Sequence, residues 1–253
     1  MKTGDLDKWF RVLLKPEGYE AADPSRNGLQ VDNDGTDIIR VAFAVDACLE
    51  TVERAHRAGA GMLFVHHGLF WQESECVTGI HYRRIKALLD ANLALYASHL
   101  PLDAHPEVGN NAGLAARLGL VNKEPFGEWH GRDIGFRGDT AAPMNIDDIM
   151  SKLFPDGKKP AHVLPFGPEA VTRIGIVSGG ASDEVHQAIA LGLDLFITGE
   201  IGHEIYHAAL ENGIHVIAGG HYQTETVGVR LVAERLGRET GIDTVFIDVP
   251  TGL

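Results

Sequence analysis

The chain is predicted to be an α/β protein of two intertwined α/β lobes built on mainly parallel sheet, on three observations. Short apolar runs of strand length alternate with segments of helical periodicity through most of the sequence. Strand, helix, strand in repetition packs as a parallel sheet with helices over its faces. At 253 residues there is room for one large domain or two smaller ones, and the alternation breaks once, near residues 124–170, where Gly, Pro and mixed polar residues gather.

Leu6, Trp9, Phe10, Leu13 and Leu14 fall at helical spacing and predict a first helix over 5–15. IIRVAFAV at 38–45 reads as a buried strand, followed by a helix near 47–58, the strand GMLFV, a helix near 82–91, the strand LALYA at 93–97 and the helical segment NAGLAARLGL at 111–120. Within the interruption, a short helix near 145–153 stands between the candidate strands DIGFRG and AHVLPF. Alternation then resumes: TRIGIV, a helix near 182–191, DLFIT, a helix near 200–211, HVIAG, a helix near 224–239 and TVFIDV. The predicted lobes are residues 1–123 with 215–253, and residues 124–214.

Composition narrows the function classes. Hydrophobic content of 44% and charged content of 23% are those of a globular protein. No apolar run approaches the ~18 residues of a membrane span. The segment MKTGDLDKWFRVLLK mixes acids and lysines into its apolar positions, so it reads as a helix and not as a signal peptide, and the expected location is the cytoplasm. Cys48 and Cys76 have no paired spacing and are expected as free thiols. A net charge of -13 argues against a nucleic-acid surface, which needs clustered Lys and Arg. The conspicuous residue is histidine, present 13 times.

In parallel sheets, ligands bind beyond the carboxyl ends of the strands. Here AFAV ends in Asp46, MLFV in His66 and His67, LALYA is followed by His99 and Asp103, LFIT by Glu200, and VIAGG by His221 and Glu225. One such ending would mean little; five in one chain point to a metal centre. Adjacent residues of a strand face opposite sides, so His66 and His67 would serve two neighbouring ions, with Gly68 ending the pleat. Pro101 disfavours helix at Leu100, so the His99–Asp103 spacing is expected in a loop. Thr224 is expected to cap the next helix, with Glu225 in its first turn beside His221. His66, His67, Asp103, His221 and Glu225 offer imidazole and carboxylate without thiolate, a set suited to two Zn, Fe or Mn ions with Glu225 bridging them.

Together NGLQV at 27–31, VHHGLFW at 65–71, SHLPLD with GNNAGLAARLGL, SGGAS at 178–182, TGEIGHEIYHAAL at 198–210 and AGGHYQTETVG at 218–228 resemble the NIF-three-like dinuclear-metal proteins, a family often called GTP cyclohydrolase 1 type 2 homologs. The resemblance covers most of the chain. It places the family's ligands on the same five residues, with His99 close by. It implies a homohexamer, a trimer of dimers, with the metal site between the two lobes of each subunit. The chain departs from the pattern at Leu100 and Pro101, where threonine and asparagine usually stand.

The expected activity is a hydrolase in which two ions activate water against a small phosphorylated, nucleotide or cyclic amide substrate, with His99 as proton shuttle. A non-enzymatic iron or zinc chaperone is the alternative, since the same ligands hold a transported ion. HEIYH at 203–207 matches the zinc-protease motif His-Glu-x-x-His, but that reading leaves His66, His67 and Asp103 without a role. SGGASD could cradle a phosphate on backbone N–H groups or be a glycine turn with Ser182 as helix cap. Asp46 and Glu200 are read as partners orienting imidazoles, or as plain turn residues.

Overall fold

The computed structural model describes residues 1–72 and 76–253. In chain order its elements are α1 (Thr3–Leu14), β1 (Gly28–Val31), β2 (Arg40–Asp46), α2 (Leu49–Arg57), β3 (Met62–His67), α3 (Gly79–Asp90), β4 (Ala94–Ala97), α4 (Leu100–Asp103), α5 (Asn110–Leu118) and β5 (Val121–Trp129). They continue with β6 (Arg132–Met144), α6 (Ile146–Leu153), β7 (His162–Pro165), β8 (Val171–Ile176), α7 (Val185–Ala190), β9 (Leu195–Thr198), α8 (Ile205–Asn212), β10 (His215–Ala218), α9 (His221–Thr240) and β11 (Asp243–Phe246). The chain is α/β, with two sheets in two compact units: Met1–Leu102 with Gly228–Pro250, and Asp103–Val227 with Thr251–Leu253. No helix among the described residues is long and apolar enough to cross a membrane.

The first unit holds the sheet β1-β4-β3-β2-β11, parallel throughout except for β1 at its edge. Successive residues of a strand point to opposite faces, and these strands are apolar on both. On one face Phe64 and Tyr96 meet Phe10 of α1, with Phe10 and Tyr96 rings 4.7 Å apart, Phe64 stacked on Tyr96 at 5.6 Å and Phe43 against Phe64 at 5.2 Å. Burial pushes the Tyr96 phenol far above its ordinary range. On the other, Ala42, Ala44, Leu63, Val65, Leu95 and Ala97 pack with Val52, Ala55 and Leu88 from α2 and α3. Because β2, β3 and β4 run parallel, Asp46, His67 and Ser98–His99 come out at the same carboxyl end of the sheet.

The second unit holds the sheet β5-β6-β8-β9-β10-β7, in which β8, β9 and β10 are parallel and the rest antiparallel. Strand β10, expected with the first lobe, pairs here with β9 and β7, and α5 is here as well. Strand β5 lies outside the sequence expectation: its first five residues are exposed, so it carries no apolar alternation, and it is held by its hairpin with β6. The parallel strands β8, β9 and β10 deliver Ser178–Gly179, Gly199–Glu200 and Gly219–His221 at their carboxyl ends.

Candidate metal centre

In the first unit three imidazoles cluster. Strand β3 runs through both His66 and His67 and stops at Gly68. Their rings are 4.6 Å apart, and the His99 ring lies 5.0 Å from that of His66 and 5.5 Å from that of His67. Each offers a ligand nitrogen within 4.8 Å of the others, a spacing that can hold a metal ion. Each ring is also anchored through Nδ1. His66 Nδ1 is 2.9 Å from the Ser98 carbonyl, His67 Nδ1 is 2.8 Å from Asp46 Oδ1, and His99 Nδ1 is 2.8 Å from Asp23 Oδ1. A neutral ring that donates from Nδ1 carries its lone pair on Nε2, which is the tautomer a metal needs.

Asp23 and Asn27 are site residues that no periodicity marked. The Asp23 side chain is fully buried, and its two oxygens take hydrogen bonds from Ser25 N–H, His99 Nδ1, Asn27 Nδ2 and Leu100 N–H. Asn27 Oδ1 accepts from the His99 N–H at 2.7 Å. Burial opposes ionisation of Asp23, but the His99, Asn27 and Ser25 bonds outweigh it and hold the carboxyl below its ordinary value of 3.8. A depressed carboxyl stabilises the fold above its unfolded pKa and ceases to do so as pH falls through the folded value. The metal-free protein is therefore expected to lose melting temperature as pH falls below about 4, and Asp23→Asn to flatten that acid limb, as thermal melts across pH would show.

NGLQV acquires a role. Gln30 Oε1 accepts from Leu69 N–H at 2.7 Å and Phe70 N–H at 3.3 Å, while its Nε2 donates to the Arg26 carbonyl at 2.9 Å. It thus pins the chain leaving His66 and His67, and Gly68 is needed because a Cβ there would overlap the Gln30 amide. Gln30→Ala strands two backbone donors and is expected to cost about 1–3 kcal/mol in urea unfolding.

In the second unit, Asp103 is buried and its Oδ1 accepts from Asn110 Nδ2 at 2.8 Å and Ser178 Oγ at 2.9 Å. Asn111, also buried, accepts from Ser178 N–H at 2.7 Å and donates to the Ile134 carbonyl at 2.8 Å. Gly179 N–H donates to Thr224 Oγ1 at 3.1 Å. The Ser178 and Gly179 N–H groups are therefore spent inside the protein and form no phosphate cradle. Ser182 accepts from Gly202 N–H at 2.8 Å, and the cap of α7 is Glu184. Burial raises the Glu184 carboxyl.

Helix α9 starts at His221, three residues earlier than predicted, because Gly219 and Gly220 turn the chain directly into it. Thr224 is consequently inside the helix, bonding back to the Gly220 and His221 carbonyls. His221 and Glu225 become i and i+4 neighbours on one helical face, with Nε2 and Oε1 3.0 Å apart. His221 Nδ1 sits 2.5 Å from Glu200 Oε1, so Glu200 is to His221 what Asp46 is to His67. The Glu225 bond raises the imidazole most, burial opposes it, and with Glu200 adding the result is about 9.

Two further expectations change. His99 precedes and Asp103 ends a one-turn helix, α4, and not a loop: Pro101 sits in the first turn, where its missing N–H has no intrahelical partner to lose. The HEIYH segment does not form the protease helix, since α8 begins only at Ile205, leaving His203 in the preceding turn, and both His203 and His207 are exposed.

The family model described as Duf34/NIF3 (NGG1p interacting factor 3) matches residues 1–252. A Treponema pallidum protein named GTP cyclohydrolase 1 type 2 homolog is 48% identical, covering 100% of both chains. A protein of the same name from Archaeoglobus fulgidus is 46% identical, also covering 100% of both. Among solved structures, a Thermus thermophilus protein superposes with a TM-score of 0.90 at 36% identity over 100% of both chains. Reduced HcgD from Methanocaldococcus jannaschii superposes at 0.84 over 98% of both chains; at 24% identity it shows the fold alone.

Proposed function

The chain belongs to the Duf34/NIF3 family, and on that premise we propose that it is a two-metal hydrolase of a small phosphorylated, nucleotide or cyclic amide substrate. His66, His67, Asp103, His221 and Glu225 hold two divalent ions, Zn, Fe or Mn, with Glu225 as their bridge. The observation that carries the reading is the anchoring of the rings: His66, His67 and His221 each have Nδ1 against a carbonyl or carboxylate oxygen. That arrangement fixes ring orientation and makes Nε2 the better donor. The donor set, imidazole and carboxylate without thiolate, fits these metals. Gly179 supports it further, since a Cβ there would overlap Glu225 Oε1.

Bound ions of this kind supply Lewis acidity and a water activated at neutral pH. The chain's own residues do the rest. Asp46 and Glu200 hold the ring planes of His67 and His221. Asn110 and Ser178 hold Asp103. His99, fixed by Asp23, takes up or returns the substrate's proton from Nε2.

The test is purified protein, dialysed, assayed for metal by mass spectrometry and offered phosphoesters, nucleotides and cyclic amides, with sedimentation to establish the proposed homohexamer. Two ions per chain and turnover abolished by a chelator are expected. Prompt loss of metal to an acceptor apoprotein with no turnover of any class would replace the hydrolase with a metal chaperone.

A further inference from the structure

His215, the first residue of β10, is a buried histidine that the proposed metal centre does not use. Both of its ring nitrogens are occupied within the second unit. Gly167 N–H donates to Nδ1 at 3.1 Å, and Nε2 lies 2.8 Å from the Pro168 carbonyl oxygen. An N–H on one side and a carbonyl on the other admit one form of the ring, the neutral imidazole with its proton on Nε2. The seat is close-fitting: a Cβ at Gly167 would stand 2.5 Å from His215 Cδ2 and 2.7 Å from the Asp194 carbonyl oxygen.

Gly167 and Pro168 end a strap, residues 154–168, that lies along β10. Its β7 pairs antiparallel with β10 from His162 opposite Ala218 to Pro165 opposite His215, and the Lys159 carbonyl accepts from Gln223 Nε2 at 3.2 Å in the first turn of α9. Strand β7 is the sheet's edge, with His162 and Pro165 exposed and Val163 and Leu164 half-buried, and residues 155–159 are exposed as well. Little apolar burial holds the strap down, so its hydrogen bonds decide whether it stays. The neighbouring charges give an imidazolium no compensation. The Asp194 carbonyl accepts the His215 backbone N–H, but its carboxylate is taken by Thr172 and the Arg173 N–H. Glu169 after Pro168, His162 on β7, and His207 and Glu211 on α8 are exposed, and the ring's partners among the described residues are Gly167 and Pro168 alone.

We propose that His215 is an acid-sensitive clasp: the neutral ring fastens the strap over β10, and a proton on Nδ1 releases it. That proton turns an acceptor into a donor facing the Gly167 N–H, which loses its bond and points at a like group. The clasp requires the neutral ring, so its contribution is present above the range in which imidazoles take up a proton, about pH 5–8, and is lost as pH falls through it. Release uncovers the outer backbone edge of β10 and removes the Lys159 carbonyl from α9, the helix that begins at His221.

Amide hydrogen exchange of the full chain, read as protection factors at about pH 7.5 and about pH 5, tests it. The amides of Gly167 and β7 are expected to lose protection about five- to a hundredfold at the lower pH, while those of β8 and β9 keep theirs. His215→Asn, which offers an acceptor but cannot titrate, is expected to abolish that pH dependence, whether its strap is closed at both values or open at both. His162→Gln and His207→Gln are expected to leave it in place. Nitrogen NMR of the wild-type ring should find the proton on Nε2 at about pH 7.5. Protection of the strap that does not change with pH, a loss shared equally by β8 and β9, the same pH dependence in His215→Asn, or a proton on Nδ1 at the higher pH would each overturn the clasp.

Discussion

Glu225→Gln is expected to weaken divalent-metal retention by at least about a hundredfold, more than loss of an outer partner does, and to leave dialysed protein with one ion per chain or none. The substitution keeps size and shape, so a loss of metal reports the carboxylate's charge and second oxygen. The same variant has a signature in the metal-free protein. Glu225 is the largest contributor to the raised His221 imidazole, which stands at about 9 against an ordinary 6.5. A raised imidazole stabilises the fold fully below its unfolded pKa and ceases to do so as pH rises through the folded one. Metal-free wild type should therefore lose stability between about pH 6.5 and 9, and Glu225→Gln should lack most of that limb. Metal content by mass spectrometry and histidine titration by NMR check both; full metal content in the variant would remove Glu225 from the ligand set.

Gly179→Ala should damage both the fold of the second unit and the proposed metal site. The residue has φ +70°, where an L side chain is strained, and the added Cβ would overlap Glu225 Oε1 and lie 3.4 Å from His221 Nε2. Strain and overpacking together are expected to cost about 2–4 kcal/mol, read as a lowered urea midpoint, and to displace Glu225 enough to reduce metal affinity. Gly131→Ala, also at positive φ but with nothing within 4 Å of the new Cβ, is the control that isolates backbone strain. Equal losses in the two variants would show that contact with Glu225 does not matter.

The sheets and the candidate ligands were legible because they depend on patterns that repeat. The apolar strands β2, β3 and β4 announce themselves by composition, and polar residues at the ends of buried strands are conspicuous in a way that polar loops are not. What was not legible depends on single contacts. Asp23, Asn27, Asn110 and Asn111 have no periodicity; only their buried hydrogen bonds distinguish them from any loop Asp or Asn. The start of α9 is misplaced by sequence reasoning because Thr224 is a good cap by type, whereas the Gly219–Gly220 turn decides where the helix begins. Strand β5 is defined by its partner and not by its own residues.

The pairing of β2 with β11 joins Arg40–Phe43 to Asp243–Phe246, and everything from Asp103 to Val227 belongs to the other unit. During synthesis, then, β2, β3 and β4 leave the ribosome with one edge of their sheet open, and it stays open while an entire second unit is made. Pairings of such sequence separation form slowly, because loop closure must precede their reward. The intervening segment folding early, as domains do on the ribosome, would shorten the effective loop. The nascent chain at that stage displays His66, His67 and His99 but has no His221 or Glu225. If the proposed two-ion centre holds, metal loading would follow translation: an ion arriving early would meet three imidazoles, and the proposed bridge Glu225 would emerge only with α9, just before the strand that closes the sheet.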